Sequence, residues 1–167
     1  VVSTIDPDGL PSSRTVLVKG LSTAGFDFVT NYGSRKARAL DAHPHVSAVF
    51  PWYLLKRQVI VSGSVAKLSS EESDELWNRR PQGAQLASAA SEQSQPVASR
   101  EALDARLAEL EAQYPEGVVV PRPANWGGFR ITPTVIEFWQ GRSRRFHDRL
   151  VFTRQSDGTW SITRLQP

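Results

Sequence analysis

The densest chemistry in the chain lies in Phe138–Arg149, Phe-Trp-Gln-Gly-Arg-Ser-Arg-Arg-Phe-His-Asp-Arg. Four arginines, one histidine, one aspartate and three aromatic side chains share those twelve residues. Guanidinium forks bind phosphate or carboxylate in two-point geometry, and an imidazole among them can hydrogen-bond a ligand or carry a proton. Aromatic faces beside such cations suit a flat, anionic ligand. The same composition also describes a solvated basic hairpin loop, and composition alone does not separate the two.

Two further sets of cations lie near the N-terminus. Arg14 and Lys19 close the two ends of Arg-Thr-Val-Leu-Val-Lys. Their odd separation points them to opposite faces of an ideal strand, so a bulge or a ligand contact would be needed to bring both to one site. Asn31-Tyr-Gly-Ser-Arg-Lys36 then enters a helix expected to run from Ser34 or Arg35 to His43, with Ser34 as its N-cap. Arg35 and Lys36 in the first turn oppose the helix dipole, a conflict that a bound phosphate would relieve. Two exposed basic residues are the plainer reading of the same pair. His43 and His45 flank Pro44 with no third ligand nearby, so capping or exposure is expected rather than metal binding.

The chain lacks a P-loop, a dinucleotide glycine fingerprint, a His-Glu-x-x-His motif and a nucleophile elbow. No serine is singled out by its spacing as the nucleophile of a triad with His147 and Asp148. With no cysteine present, disulfides and thiolate metal sites are excluded.

The elements that must position these residues read mostly as strands. Val1–Ile5, a turn at Asp6-Pro-Asp-Gly9 and a strand over Ser13–Lys19 come first. Phe26–Thr30, His45–Phe50 and Arg57–Leu68 follow, the last bent at Gly63. Ser69-Ser-Glu-Glu72 has the form of a capping box opening a helix to about Arg80, and Gln85–Ser91 reads as a short helix. Ser99–Tyr114 is the clearest helix, with Leu103, Leu107, Leu110 and Tyr114 forming a core-facing stripe. An extended connection over 115–125 leads to strands at Gly127–Ile131 and Thr134–Gln140. A closing pair, Arg149–Arg154 and Trp160–Arg164, is joined at Asp157-Gly158. About eight strands linked by short turns, with three or four helices, indicate an antiparallel barrel with helices outside it.

A chain of 167 residues suffices for one domain, 1–167, with a proper core. No apolar run approaches the roughly 20 residues that span a bilayer, and no secretory leader is visible. A cytoplasmic protein is therefore expected, and the absence of cysteine fits a reducing compartment. Methionine is also absent and the chain opens directly in a strand, so an N-terminal piece is expected to precede Val1. A net charge of +3 permits nucleic-acid binding. The basic residues are interspersed with acids, however, which favours a small anion over a duplex.

The motifs combine into one pattern. Its N-terminal pieces are Arg14-x-x-x-x-Lys19, Thr30-Asn31-x-Gly33-Ser34-Arg35-Lys36, Phe50-Pro51-Trp52 and Arg57-Gln58. Arg80-Pro81, Gln93-Ser94, Trp126-Gly-Gly-Phe-Arg130, Phe138-Trp-Gln-Gly141, Arg145-x-His147-Asp148-Arg149 and Arg164-Leu165-x-Pro167 complete it. In order and spacing this resembles the pyridoxine/pyridoxamine 5′-phosphate oxidase family over essentially the whole chain.

The resemblance implies a mainly β fold with helices, an FMN-binding split β-barrel that is antiparallel and Greek-key-like. It implies a homodimer with FMN at the subunit interface. Arg14, Thr15, Val16, Leu17, Val18 and Lys19 would line the flavin, with Arg14 as an anchor. Val29 and Thr30 would contribute around the ring, and Arg35 and Lys36 would grip the FMN phosphate. Gln58, Gln93, Ser94, Trp139 and Arg149 match further flavin-contacting positions. Lys19 and Arg80 match cations that hold the substrate phosphate, while Arg145 and His147 match catalytic residues against the pyridine ring, with Phe146 between them. The implied reaction is oxidation of pyridoxine or pyridoxamine 5′-phosphate to pyridoxal 5′-phosphate, with O2 as acceptor and H2O2 as product. No metal, nucleic acid or membrane enters it.

Two positions depart from the family pattern. A tyrosine four residues before the Arg80 position is replaced by Leu76, and a serine four residues after it by Ala84. Both changes remove neutral hydrogen-bond donors and leave the cations in place. They leave open a related flavin oxidase with another substrate, of the phenazine-biosynthesis type. A flavin-binding split barrel without oxidase activity is a further alternative.

Overall fold

The computed structural model describes residues 1–167. Nine strands and four α-helices follow one another along the chain. The strands β1 (Val2–Ile5), β2 (Pro11–Arg14), β3 (Val18–Ser22) and β4 (Gly25–Asn31) lead into α1 (Arg35–Ala42). Next come β5 (His45–Trp52), β6 (Arg57–Lys67), α2 (Ser70–Asn78), α3 (Gln82–Ala90) and α4 (Arg100–Gln113). The long β7 (Trp126–Gln140), β8 (Asp148–Arg154) and β9 (Trp160–Leu165) close the chain. Every pairing is antiparallel, in the order β2-β1-β5-β6-β7-β4-β3, with β8 and β9 added beside β7.

The single strand expected over Ser13–Lys19 is in fact two. β2 ends at Arg14, β3 begins at Val18, and Thr15-Val16-Leu17 lie outside the sheet. β2 and β3 are the opposite ends of the strand order. Their ends, four residue steps apart, cannot be separated by more than roughly 14 Å. The sheet must therefore curl until its two edges nearly meet, leaving a split that the 15–17 segment crosses.

The two strands expected at Gly127–Ile131 and Thr134–Gln140 are instead one strand of 15 residues. Pro133 has no N–H to give the ladder, which is why the sequence reads as interrupted there. Pairing with β6 continues past it through a register shift at Ser62/Gly63. At this point β7 changes its other partner: Trp126–Ile131 pair with β4, and Val135–Gln140 pair with β8. Gly63 is required, since a Cβ there would collide with the Thr132 carbonyl oxygen.

Inside the curl lies a core of Val2, Phe28, Leu40, Val46, Val61, Val65, Phe129 and Ile131, with Ala37 and Ala48 filling the narrow places. A second cluster, Trp77, Leu86, Val120 and Trp126, packs under α2 and α3. Ser69 and Glu72 form the expected capping box, and Ser34 and Ser99 cap α1 and α4. In α4, Leu107, Leu110 and Tyr114 pack against the second cluster. Leu103 does not belong to that stripe: it is 39% exposed and borders a cavity beside the 90–97 loop instead of the second cluster.

Gly63→Ala is expected to destabilise the fold by about 1–3 kcal/mol, the usual range for forcing a methyl into a filled space. Thermal melting monitored by circular dichroism should show a midpoint lowered by roughly 2–12 °C; an unchanged midpoint would mean the bulge relaxes freely.

Candidate functional site

The cations of the N-terminal region converge on one cavity of about 540 Å³ at the split. Arg14, at the end of β2, is fixed across β1: its Nη1 donates to Thr4 Oγ1 at 2.7 Å and its Nη2 to Ser12 Oγ at 2.7 Å. Ser12 Oγ in turn donates to Asp6 Oδ1 at 3.0 Å. Asp6 Oδ2 accepts from Arg35 Nε at 2.8 Å, and that hydrogen bond holds the Asp6 carboxyl below the usual carboxylate range. Asp6 is buried although the Arg35 side chain is exposed.

Lys36 is the unusual member. It is buried, and its Nζ donates only to neutral acceptors: Thr30 Oγ1 at 2.8 Å, Gln93 Oε1 at 2.9 Å and Ser34 Oγ at 3.4 Å. Burial, with Arg14 nearby adding to it, lowers its pKa to about 8. An ammonium held in this way is stabilised by an arriving anion. The cavity thus gathers Arg14, Arg35 and Lys36 with no carboxylate in its lining, and Thr15, Val16, Leu17, Val29 and Thr30 lie along its wall. Gln93 and Ser94, from the loop after α3, form the opposite rim, where Ser94 takes φ +71°.

Lys19 and Arg80 reach the same cavity. The break at 15–17 resolves the odd spacing of Arg14 and Lys19, bringing both to one site. Lys19 is exposed and makes no ion pair. Arg80 lies between α2 and α3 with its guanidinium 5.2 Å from the centre of the Trp126 ring. Its Nη2 donates to Ala84 O at 2.9 Å and Ser88 Oγ at 2.8 Å. Leu76, in the place of a family tyrosine, packs against the Trp77 cluster instead of offering a hydroxyl.

The remaining predicted residues form a second surface. Gln58 faces Trp139 across the β6–β7 ladder, and Trp139 faces Arg149 across β7–β8. Gln58 and Trp139 line a separate cleft of about 670 Å³ together with Trp52, Arg142 and Asp148. Arg149 is forked onto Glu137 at 2.7 and 3.0 Å. The His147 ring sits 4.8 Å from the Trp139 ring, and its Nδ1 accepts from the Arg142 amide at 3.1 Å, which places the ring proton on Nε2 in the neutral form. Asp148 takes up Arg142 and Arg164. Arg145 is left without an ion pair, on an exposed turn where it and Arg144 both have positive φ, and Phe146 is 78% exposed.

Val18 lies with neither set. It lines an apolar groove of about 280 Å³ that shares Val16 and Leu17 with the cation cavity and Trp52 with the second cleft. Sequence reasoning missed Asp6, Ser12, Ser13 and Ser88. In the sequence Asp6 stands out only as turn chemistry, although Ser12 and Arg14, two apart on one strand, share a face and so carry a signal for the network.

This antiparallel curl, split at one edge with a cation-lined cavity in the split, places the chain in the fold class of the FMN-binding split barrels. A crystal structure of PhzG from Burkholderia lata, in complex with tetrahydrophenazine-1-carboxylic acid, is similar with a TM-score of 0.93 and 37% identity, over 99% of this chain and 80% of that one. A pyridoxamine 5′-phosphate oxidase-related, FMN-binding protein from Nostoc punctiforme shares the fold at 19% identity and a TM-score of 0.78, over 99% and 86%. Residues 1–114 match the family described as pyridoxamine 5′-phosphate oxidase, and residues 126–167 match the pyridoxine 5′-phosphate oxidase C-terminal dimerisation region. Pyridoxine/pyridoxamine 5′-phosphate oxidases from Streptomyces avermitilis and Rubrobacter xylanophilus are 52% and 53% identical over all of this chain and 75% and 76% of theirs. The chain belongs to the pyridoxine/pyridoxamine 5′-phosphate oxidase family.

No helix is long and apolar enough to cross a membrane, and no group of acidic or histidine side chains is arranged to hold a metal ion.

The lowered pKa of Lys36 sets a pH dependence. Below about pH 8 the side chain is a cation and attracts a phosphate; above it the free protein has lost that proton and binding must supply it again. FMN affinity, followed by quenching of flavin fluorescence, is expected to be full below pH 8 and to fall as pH rises above it. Lys36→Met should weaken FMN roughly 10–100-fold at pH 7, the scale of a charged hydrogen bond, and flatten this decline. A wild-type profile level from pH 7 to 10 would place the phosphate elsewhere.

Proposed function

We propose that this protein is an FMN-dependent oxidase that converts pyridoxine 5′-phosphate or pyridoxamine 5′-phosphate to pyridoxal 5′-phosphate. O2 is the electron acceptor and H2O2 the product; the amine substrate also consumes water and releases ammonia. The observation that carries this reading is the buried Lys36 ammonium, ringed by neutral acceptors and joined by Arg14 and Arg35 in one cavity of a family member. That donor set fits a phosphate monoester attached to a larger ring system, since cations crowd one part of the cavity and Val16, Leu17 and Val29 line another.

FMN, held by these residues, would supply the two-electron redox chemistry that links oxidation at the C4′ carbon of the substrate to reduction of O2. The chain's own residues bind and orient. Arg35 and Lys36 hold the cofactor phosphate, and the Thr15–Leu17 backbone with Val29 and Thr30 borders the ring. Lys19 and Arg80 hold the substrate phosphate. Arg145 lies on the pyridine face and pairs with its oxygen substituent, and His147 orients the ring through a hydrogen bond from Nε2. Orientation comes first in a hydride transfer, so no obligatory base is assigned.

The working unit in this proposal is a homodimer with FMN at its interface. The cation cavity and the Gln58–Trp139 cleft are separate surfaces of one chain, linked by an apolar groove beside exposed Leu17, Trp52, Tyr53, Leu54 and Leu55. A second copy covering that groove brings its own Gln58, Trp139, Arg145, His147 and Arg149 to the first copy's cavity, and the C-terminal match to a dimerisation region supports this.

Likeness to PhzG favours a second reading, oxidation of a flat polycyclic carboxylate. Leu76 and Ala84 make the Arg80 region less polar than the family pattern, which suits such a substrate.

The deciding experiment is anaerobic titration of FMN-loaded protein with pyridoxine 5′-phosphate, following the visible flavin band. Bleaching that reverses in air is expected; a stable yellow spectrum at saturation would transfer the assignment to the polycyclic acid. Arg145→Ala is expected to lower turnover by about 100-fold or more, the scale of lost orientation, while FMN affinity changes less than about threefold. Equal losses in both would remove Arg145 from its assigned role.

A further inference from the structure

We propose that Ser88 is a positioning residue for Arg80, holding the guanidinium so that it can meet the anionic group of the substrate. The inference rests on the reading that Arg80 binds that group, and adds a residue that the family pattern does not supply. Arg80 has no carboxylate partner. Its Nη2 carries two protons, and both are taken, one by Ala84 O at 2.9 Å and one by Ser88 Oγ at 2.8 Å.

The direction of the second bond is settled by the hydroxyl itself. Ser88 Oγ spends its single proton on Ala84 O, 2.8 Å away, so toward Arg80 it can only accept. Ser88 therefore acts on the arginine and not on a ligand. Ala84, where the family pattern has a serine, contributes only its backbone carbonyl, and the hydroxyl is provided one helical turn later. With Trp126 5.2 Å beneath the guanidinium, these contacts fix its plane and its rotation.

This leaves Nη1 unbonded within the chain and, in the interior, Nε. Nε is buried and has no hydrogen-bond partner, the one buried side-chain polar atom of the chain in that condition. A buried N–H without an acceptor is rare in folded proteins and marks a group awaiting a partner. Arg80 borders both the 540 Å³ cavity and an adjoining one of about 360 Å³ lined by Ala84, Ser88 and Trp126. An anionic oxygen entering there meets a guanidinium already held in place, and burial of that guanidinium strengthens the attraction.

The test compares wild type, Ser88→Ala and Ser88→Thr as FMN-loaded proteins. For Ser88→Ala the KM for pyridoxine 5′-phosphate should rise about tenfold, the scale of a weakened charged hydrogen bond, with kcat within about twofold and FMN affinity unchanged. Ser88→Thr keeps the hydroxyl and should restore most of the KM. A KM within about twofold of wild type in Ser88→Ala, or an equal loss in Ser88→Thr, would overturn the proposal. A second readout does not need turnover: the Arg80 Nε–H signal in a 15N-arginine NMR spectrum. Slow exchange in wild type and fast exchange in Ser88→Ala is expected, and equal exchange in both would overturn the proposal. If wild type fails to oxidise the substrate, the proposed reaction falls and the NMR comparison still decides Ser88.

Discussion

Closure of the sheet across Thr15-Val16-Leu17 is the constraint from which the rest of the molecule follows. Those three residues join the two end strands of the order, so the sheet cannot lie open and flat. Curling it turns Phe28, Val61, Phe129 and Ile131 inward to form the core. The same closure stops short of a full hydrogen-bonded seam, and the backbone that spans the gap becomes the wall of a cavity. β7 makes the curl possible on the far side by exchanging β4 for β8 at Pro133, where Gly63 lets the two backbones approach.

Electrostatics then decides what the cavity can hold. Arg14 and Arg35 are tied to Asp6 through a short network with Ser12, whereas Lys36 is buried against neutral oxygens. Lys36 has no carboxylate partner, and its pKa is depressed chiefly by burial, with the neighbouring Arg14 adding to it. In the Phe138–Arg149 loop the reverse holds: Asp148 and Glu137 take up Arg142, Arg149 and Arg164, and leave Arg145 unpaired on a turn of positive φ. Two unlike electrostatic designs thus stand on one chain, matching the two tasks proposed for them, a cofactor phosphate to hold and a substrate ring to contact.

Much of this was legible in the residue order because local rules carried it. The Ser69/Glu72 capping box, the Ser34 and Ser99 caps, the bend at Gly63 and the turn at Asp157-Gly158 each depend on neighbours within a few residues. The misreadings have the opposite character. Ser13–Lys19 has uniform strand propensity, and only the demand of closure breaks it at Arg14. Pro133 reads as a strand break, and only the β6 ladder beside it shows that the strand continues. Leu103 shares a helical face with Leu107 and Leu110, and only the way α4 lies against the body leaves it in solvent.

By itself, then, the sequence determined the strand-rich class, the helix starts, the clusters of cations and the family to which the chain belongs, because each is written in residue type and short spacing. Only the tertiary structure decided that Arg14, Lys19, Lys36, Arg80 and Gln93 share one cavity, and that Gln58, Trp139 and His147 stand on another surface. It also decided that Asp6 pairs with Arg35 and reaches Arg14 through Ser12, and that Ser88 accepts a hydrogen bond from Arg80. The reason is physical: the five residues named for the cavity alone span 79 positions, from Arg14 to Gln93. Their meeting depends on how a sheet bends to close on itself, which no local pattern encodes.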